Sequence, residues 1–136
     1  MARLVTKIYP KDLDPNNPIG LSFPLSMGTQ KQNYYTSEQV HDNLRNLILT
    51  MPGERPMNPA FGSDIYHLLF EQLQDEIIQE AAFDAITKAV QVWMPAVNIV
   101  DVLVTSAYDD NKVKIEVFYS VNGWKADNVL NLEVKV

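Results

Sequence analysis

The chain has 136 residues and is acidic, with 17 aspartate and glutamate residues against 11 lysine and arginine residues and a formal net charge of −6. Its length is typical of one domain, and a hydrophobic share of 46% is enough for a buried core. Nucleic acid and anionic membranes are not expected partners, because both attract clustered lysine and arginine. With no cysteine and two histidines, the sequence predicts no metal site and no redox chemistry. No cofactor and no small-molecule substrate are expected. It lacks a signal peptide and an apolar run of the ~20 residues that a membrane span needs, so we expect a soluble protein made in a cytoplasm.

Residues 1–35 are predicted to form an extended arm. Between Tyr9 and Asn33, prolines and glycines recur at a density that prevents a long helix. Alternating apolar residues indicate that part of the arm lies along a surface groove or an edge strand; these are Ile19, Leu21, Phe23 and Leu25. No internal repeat is visible, and we predict one domain, 1–136, with a helical part at 36–94 and a sheet at 97–136.

Two helices are predicted on either side of a proline-rich loop. The first opens at the capping-box sequence Thr36–Gln39, with Thr36 as its N-cap, and ends at about Thr50, before a proline and a glycine. The second is short and follows Gly62. Ser63 is predicted to be its cap.

A third helix is predicted from about Asp75 to Trp93, where Pro95 ends it. Apolar and small residues recur there at helical spacing. The predicted buried face consists of Ile78, Ala81, Ala82, Ala85, Ala89, Val92 and Trp93.

Alternating apolar residues predict three strands after the helices. The first has Val100, Val102 and Val104 on one face, and a turn at 109–111 joins it to the second as an antiparallel hairpin. The third lies at the end of the sequence, with Leu130, Leu132, Val134 and Val136 alternating along it. Helices followed by strands predict an α+β fold: about three helices packed on a small antiparallel sheet of about three C-terminal strands, with an extended N-terminal arm.

The segment Gly53–Pro56 is the most unusual part of the sequence, because two opposite charges lie between residues that restrict the backbone. Pro56 favours an extended conformation of Arg55, in which successive side chains point to opposite sides. Glu54 and Arg55 are therefore not expected to pair with each other. Arg55 is suited to a carboxylate or to helix C-terminal carbonyls, and Glu54 to backbone N–H groups or another arginine. The residues alone leave open whether the partners belong to the same domain or to another chain.

The segment from Thr50 to Ile65, which contains Pro52-Gly53-Glu54-Arg55-Pro56 and Pro59-Ala60-Phe61-Gly62 and is followed by Leu69-Phe70-Glu71, resembles the signature of the lysozyme-like baseplate wedge proteins. This family occurs in contractile-tailed phages and has relatives in type VI secretion baseplates. The likeness extends over about 38–136, in the order helix, Pro-x-Phe-Gly turn, amphipathic helix, proline stop and strand hairpin. The family's loop is of the Glu-Pro-Arg type, whereas this chain has the order Glu54-Arg55-Pro56.

The resemblance implies a non-enzymatic subunit of a contractile tail baseplate, a virion component assembled in the host cytoplasm. In the family, the loop is thought to dock on the helical core bundle of the wedge, and the carboxy-terminal sheet seeds sheath polymerisation. The implied partners are wedge core-bundle proteins, the tail sheath protein and other baseplate subunits. The residues implied in partner binding are Glu54, Arg55, Pro56, Leu130, Leu132 and Val134.

The last strand gives the sheath role a physical basis. Its outer edge has no later residues to cover it, so its unpaired backbone groups are expected to accept a strand from a neighbouring subunit. Glu133 and Lys135 could instead guard that edge against pairing, and the sequence leaves this open.

A peptidoglycan-cleaving glycosidase is the alternative function, because such enzymes use two carboxyl groups about 5 Å apart or somewhat farther. The candidate pairs are Glu54 with Asp64 and Glu71 with Asp75. Glu54 lies beside an arginine and Asp64 at a helix start, and both environments favour a charged carboxylate, whereas a general acid must hold its proton. The structural function is therefore preferred.

Overall fold

The computed structural model describes residues 16–22, 27–28, 30–71, 75–107, 112–122 and 128–135. The chain divides into two compact units, Met1–Asn46 and Leu47–Val136. The predicted α+β fold is confirmed: three helices, a three-stranded antiparallel sheet near the C-terminus and a two-stranded sheet in the N-terminal region. The organisation as one domain stays a prediction.

In the first unit, the described part of the arm folds back on itself. Strand β1 (Gly20–Leu21) pairs antiparallel with β2 (Gln32–Asn33). The backbone N–H of Ile19 donates to the Asn33 carbonyl over 2.7 Å, and that of Ser22 donates to the Lys31 carbonyl over 2.8 Å. The arm is therefore a short hairpin at this point and not extended throughout. Phe23 and Leu25, which the sequence placed on its apolar face, lie outside the described residues.

Helix α1 (Thr36–Leu49) ends where the sequence predicts, but its start differs by one residue. The first helical hydrogen bond runs from the Gln39 N–H to the Tyr35 carbonyl over 3.2 Å, so Thr36 lies inside the helix. The side chain of Gln39 accepts from the Asn33 amide over 3.2 Å and donates to Asn43 over 2.7 Å. Gln39 thus connects the hairpin to α1.

The second unit is built on the sheet β3 (Val97–Ala107), β4 (Lys112–Val121) and β5 (Asn128–Lys135), in the order β3-β4-β5. Both pairings are antiparallel, which confirms the predicted hairpin and third strand. Helix α3 (Asp75–Trp93) packs on β3, and α2 (Ile65–Phe70) packs on α3. The turn predicted at 109–111 lies outside the described residues.

Alternating residues of the second and third strands of this sheet form the core face. On β4 and β5 the buried side chains are Val113, Ile115, Val117, Tyr119, Val121, Leu130, Leu132 and Val134. On β3 the predicted alternation is wrong at Val100, because a β-bulge between Ile99 and Asp101 shifts the register. Val100 is 53% exposed, whereas Val102 is buried. One extra residue in a strand turns the side chains beyond it to the opposite face.

The buried face of α3 differs in part from the predicted one. Ile78, Ala82 and Ala89 are buried as expected, but Ile86 and Val90 are buried too and Val92 is 69% exposed. The helical stripe is therefore rotated away from Val92. None of the helices in the described ranges is long and apolar enough to cross a membrane.

Candidate functional site

The proline-rich segment between α1 and α2 folds as three consecutive β-turns, which we call the three-turn loop (residues 51–61). The turns are Met51–Glu54, Arg55–Asn58 and Asn58–Phe61, closed by hydrogen bonds from the fourth N–H to the first carbonyl of 3.1, 3.2 and 3.1 Å. Each has proline at its second position, where the fixed φ of proline suits a turn. The loop as a whole is therefore not extended, and Glu54 and Arg55 lie at the junction of its first two turns.

The first turn is locked by two features beyond its proline. Gly53 has φ of 90°, as the third position of a type II turn requires. The carboxylate of Glu54 accepts the backbone N–H of Met51 over 3.0 Å, so the Met51 N–H and carbonyl both bond to Glu54. The Gly53 N–H donates to the Pro59 carbonyl over 2.7 Å and joins the first turn to the third. The loop is a compact structure held by its own backbone.

Ser63 fastens the loop to the end of α1. Its N–H donates to the Thr50 carbonyl over 2.9 Å, and its buried hydroxyl donates to the Ile48 carbonyl over 2.7 Å. The last carbonyls of a helix lack partners inside the helix, and Ser63 supplies two donors there. The prediction that Ser63 caps α2 is wrong, because its hydroxyl is used at α1. Asp64 precedes α2 and makes no side-chain capping bond.

Arg55 lies over an aromatic ring and keeps its hydrogen-bonding capacity. Its guanidinium carbon is 3.9 Å from the ring centroid of Phe61, a cation–π contact. Within the described residues the guanidinium forms no hydrogen bond or ion pair, and Glu54 and Arg55 do not pair with each other, as predicted. A guanidinium has five N–H donors in a planar fork, so the half-buried Arg55 is oriented by Phe61 while its donors stay unused.

Two aromatic residues complete this surface: Phe61, and Trp93, which the sequence placed on the buried face of the third helix. Phe61 contacts Trp93, at the end of α3, edge to face with 5.3 Å between ring centroids. Trp93 also lines a shallow groove of about 250 Å³ between the loop and α3. The other lining residues are Pro52, Ala60, Gly62, Ser63, Asp64, Ala85, Lys88, Ala89 and Val92. In the sequence, the only sign of this contact is that Phe61 follows Arg55 by six residues in a proline-rich loop. That spacing alone does not predict which aromatic ring Arg55 contacts.

The other predicted partner site, strand β5, is an edge strand. It pairs with β4 and, among the described residues, with no strand on its other side. The side chains of Leu130, Leu132 and Val134 are buried. Any contact of these three residues with a partner strand would therefore be made by their backbone. The exposed side chains of β5 are Val129, Asn131, Glu133 and Lys135.

The carboxyl pairs considered for glycoside hydrolysis are not in apolar surroundings. Glu54, Asp64 and Glu71 are exposed, and Asp75 has no described side chain. A groove of about 340 Å³ lies elsewhere, between α3 and β3, and is lined by Glu76, Gln79, Glu80, Phe83, Asp101 and Val102. Within the described residues, no group of three or more histidine, aspartate or glutamate residues is arranged to hold a metal ion.

An arginine fork unused among the described residues, and an edge strand that no other described strand pairs with, are features of proteins that assemble with other chains. The family model of the baseplate wedge protein gp25 matches residues 35–125, which include the three-turn loop and most of the sheet. The chain therefore belongs to the baseplate wedge protein gp25 family. Over 117 residues it is 26% identical to the baseplate wedge protein gp25 of Enterobacteria phage T4, and the match covers 86% of this chain and 83% of that protein. The resemblance noted in the sequence is confirmed.

Two solved structures have the same fold. A protein from Geobacter sulfurreducens described as a tail lysozyme has a TM-score of 0.66 and 17% identity, over 83% of this chain and 96% of that one. The cryo-EM structure of the anti-feeding prophage baseplate contains a chain with a TM-score of 0.59 and 21% identity, over 76% of this chain and 85% of that one. At these identities the likeness establishes the fold alone.

Proposed function

We propose that this baseplate wedge protein is a structural subunit of a contractile tail, without catalytic turnover, whose three-turn loop docks on the helical core bundle of the wedge. Glu54, Arg55 and Pro56 form the docking element. The observation that supports this most directly is Arg55, which is held over Phe61 while its guanidinium donors have no partner among the described residues. Such an arginine is ready to form a bidentate contact with a carboxylate or with the last carbonyls of a helix.

The roles of the three residues differ. The carboxylate of Glu54 is used inside the loop, where it closes the first turn, so its contribution to docking is to hold the loop in shape. Pro56 sets the second turn, directly after Arg55. Arg55 is then the residue that meets the partner, and it does so at little entropic cost because its side chain is already oriented.

We further propose that β5 offers its open edge to the tail sheath protein and so begins sheath assembly. The support is its place at the edge of the sheet and the row of buried side chains on its inner face. A strand added to this edge would gain backbone hydrogen bonds and continue the covered core.

Replacing Arg55 by alanine is expected to weaken binding to the purified wedge core bundle by about 30-fold, the effect of losing one interface hot spot. Arg55→Lys keeps the charge but not the planar fork, so we expect an intermediate loss. Affinity is measured by titrating the full chain into the bundle. Thermal unfolding, measured alongside, tests whether the variant is still folded.

Lys112→Ala, which removes an exposed cation of β4 in the same unit, outside the three-turn loop and the groove beside it, is the matched control and should bind as the wild type does. If Arg55→Ala binds with wild-type affinity, the loop is not the docking element.

The structural function also predicts the result of a cell-wall assay. The purified chain is expected not to clear peptidoglycan, because, within the described part of the chain, Glu54 and Asp64 are exposed outside any cleft built around a carboxyl pair and the Glu54 carboxylate is used to close the first turn. Turbidity of a cell-wall suspension measures this, with a muralytic enzyme as positive control. Clearing that Glu54→Gln abolishes would establish the glycosidase function instead.

A further inference from the structure

The exposed side chains of β5 change in character along the strand. From its start to its end, the exposed residues are Val129, Asn131, Glu133 and Lys135, that is, apolar, polar, acidic and basic. Between them lie the buried Leu130, Leu132 and Val134. Side chains directly opposite on neighbouring strands are about 5 Å apart, so a strand added to this edge would place one side chain beside each of these residues.

The two charges of this row are at most partly offset by β4. Glu133 is directly opposite Lys114, but the Lys114 ammonium is bonded to Glu116 over 2.6 Å. The pKa of Lys114 is raised, mainly by the hydrogen bond to Glu116 and by its charge, with Glu133 the smallest cause. Neither Glu133 nor Lys135 forms an ion pair with a described residue.

Lys135 lies opposite a like charge, which is less favourable than the position of Glu133 opposite a lysine. It is directly opposite Lys112 on β4, and both side chains are exposed. Like charges directly opposite each other on neighbouring strands are destabilising. An acidic side chain on the other flank of Lys135 would offset this repulsion.

We infer that β5 selects its partner strand by charge: the open edge accepts an antiparallel segment of another chain with an acidic residue opposite Lys135 and a basic residue opposite Glu133. A polar residue lies opposite Asn131 and an apolar residue opposite Val129. From the amino end of the partner segment, the exposed residues are therefore acidic, basic, polar and apolar in turn. The residues between them are apolar, because they continue the buried row of Leu130, Leu132 and Val134. The inference rests on the proposed use of this edge and adds the chemistry of the segment that binds there.

The antiparallel direction is inferred from the sheet, in which both existing pairings are antiparallel. The direction matters for the charge order. If a partner with the same order of residues bound in the parallel direction, its apolar residue would lie opposite Lys135 and its acidic residue opposite Val129.

Two synthetic peptides test the inference on the full chain. The matched peptide is Glu-Val-Lys-Val-Thr-Val-Val, and the exchanged peptide is Lys-Val-Glu-Val-Thr-Val-Val, of identical composition. We expect the matched peptide to bind about tenfold more tightly at low salt, since two favourable cross-strand pairs become two like-charge pairs in the other. The preference should shrink at high salt, because exposed charges are screened.

The double variant Glu133→Lys, Lys135→Glu is expected to reverse the preference without changing the net charge. The control Glu80→Lys, Lys88→Glu makes the same exchange on α3, away from β5, and should keep the wild-type preference. Amide exchange of β5 in the presence of each peptide shows whether binding occurs at this edge.

The outcomes distinguish the proposal that β5 accepts a strand from the inference that it selects that strand by charge. Equal binding of both peptides at β5 would overturn the charge selection and leave the open edge as a strand acceptor. If neither peptide binds or protects β5, the strand-acceptor function itself fails. A dimer of the wild-type chain that the double variant dissolves would identify a second copy as the occupant and overturn the inference.

Discussion

Replacing Gly62 by alanine is expected to lower the free energy of unfolding by about 3 kcal/mol, because strain and steric overlap act at the same position. Gly62 has φ of 138°, a conformation that side chains rarely adopt. A Cβ there would meet the Thr50 carbonyl oxygen and lie 2.9 Å from the Met51 carbonyl carbon and the Pro52 nitrogen. All three are backbone atoms, and the Thr50 carbonyl also accepts the Ser63 N–H, so moving the chain aside would disturb that bond. Chemical denaturation measures the change.

Gly53→Ala is the matched control for this prediction. Gly53 also has a positive φ, of 90°, but a Cβ there would meet nothing within 4 Å. Only the conformational strain remains, and we expect a loss of about 1 kcal/mol. Equal losses for the two variants would show that the close approach of the backbone at Gly62 contributes nothing.

Replacing Asn33 by leucine is expected to destabilise the first unit by about 2 kcal/mol, because it leaves a buried carboxylate without its donor. The Asn33 amide donates to Asp42 over 2.6 Å, to Gln39 over 3.2 Å and to the Leu21 carbonyl over 3.4 Å. Asn33 and Asp42 are 2% and 5% exposed, so water does not replace the lost bond. Amide exchange at Ile19, whose N–H bonds to the Asn33 carbonyl, should become faster.

Two further variants isolate this effect. Asn43→Leu removes an exposed asparagine that bonds to Gln39 and lies on α1, the helix that carries Asp42, and we expect a change of less than about 0.5 kcal/mol. Replacing Asn33 and Asp42 together by leucine should recover part of the loss, since no unpaired polar group then remains buried. A double variant less stable than Asn33→Leu would contradict the account.

The folded three-turn loop gives Glu54 and Arg55 different surroundings. In the sequence, Glu54 and Arg55 are equivalent members of a charged pair with separate partners. In the folded chain, Glu54 accepts the Met51 N–H and becomes part of the turn, whereas Arg55 rests on Phe61 with its donors unused among the described residues. The two charges therefore differ: Glu54 holds the shape of the loop, and Arg55 is the residue that we propose to meet the partner.

The proline spacing of the three-turn loop predicts its turns but not its side-chain contacts. Prolines at positions 52, 56 and 59 each occupy the second place of a turn, and this spacing could have predicted three turns where an extended segment was expected. The partner of Arg55 could not be predicted in this way. Phe61 contacts Arg55 only because the turns bring together two residues that are six apart in sequence. Trp93, which is far away in sequence on α3, packs against Phe61.

The sequence by itself determined the family, the α+β class, the order of helices and strands, and the lack of pairing between Glu54 and Arg55. These depend on periodicity and on residues close in the chain. The tertiary structure alone decided the use of Ser63 at α1, the bulge that exposes Val100, and the charges of β5 that pair with no described residue. The physical reason is the same in each case: a buried donor, a strand register and a cross-strand charge are set by residues far apart in sequence, and only folding brings them together.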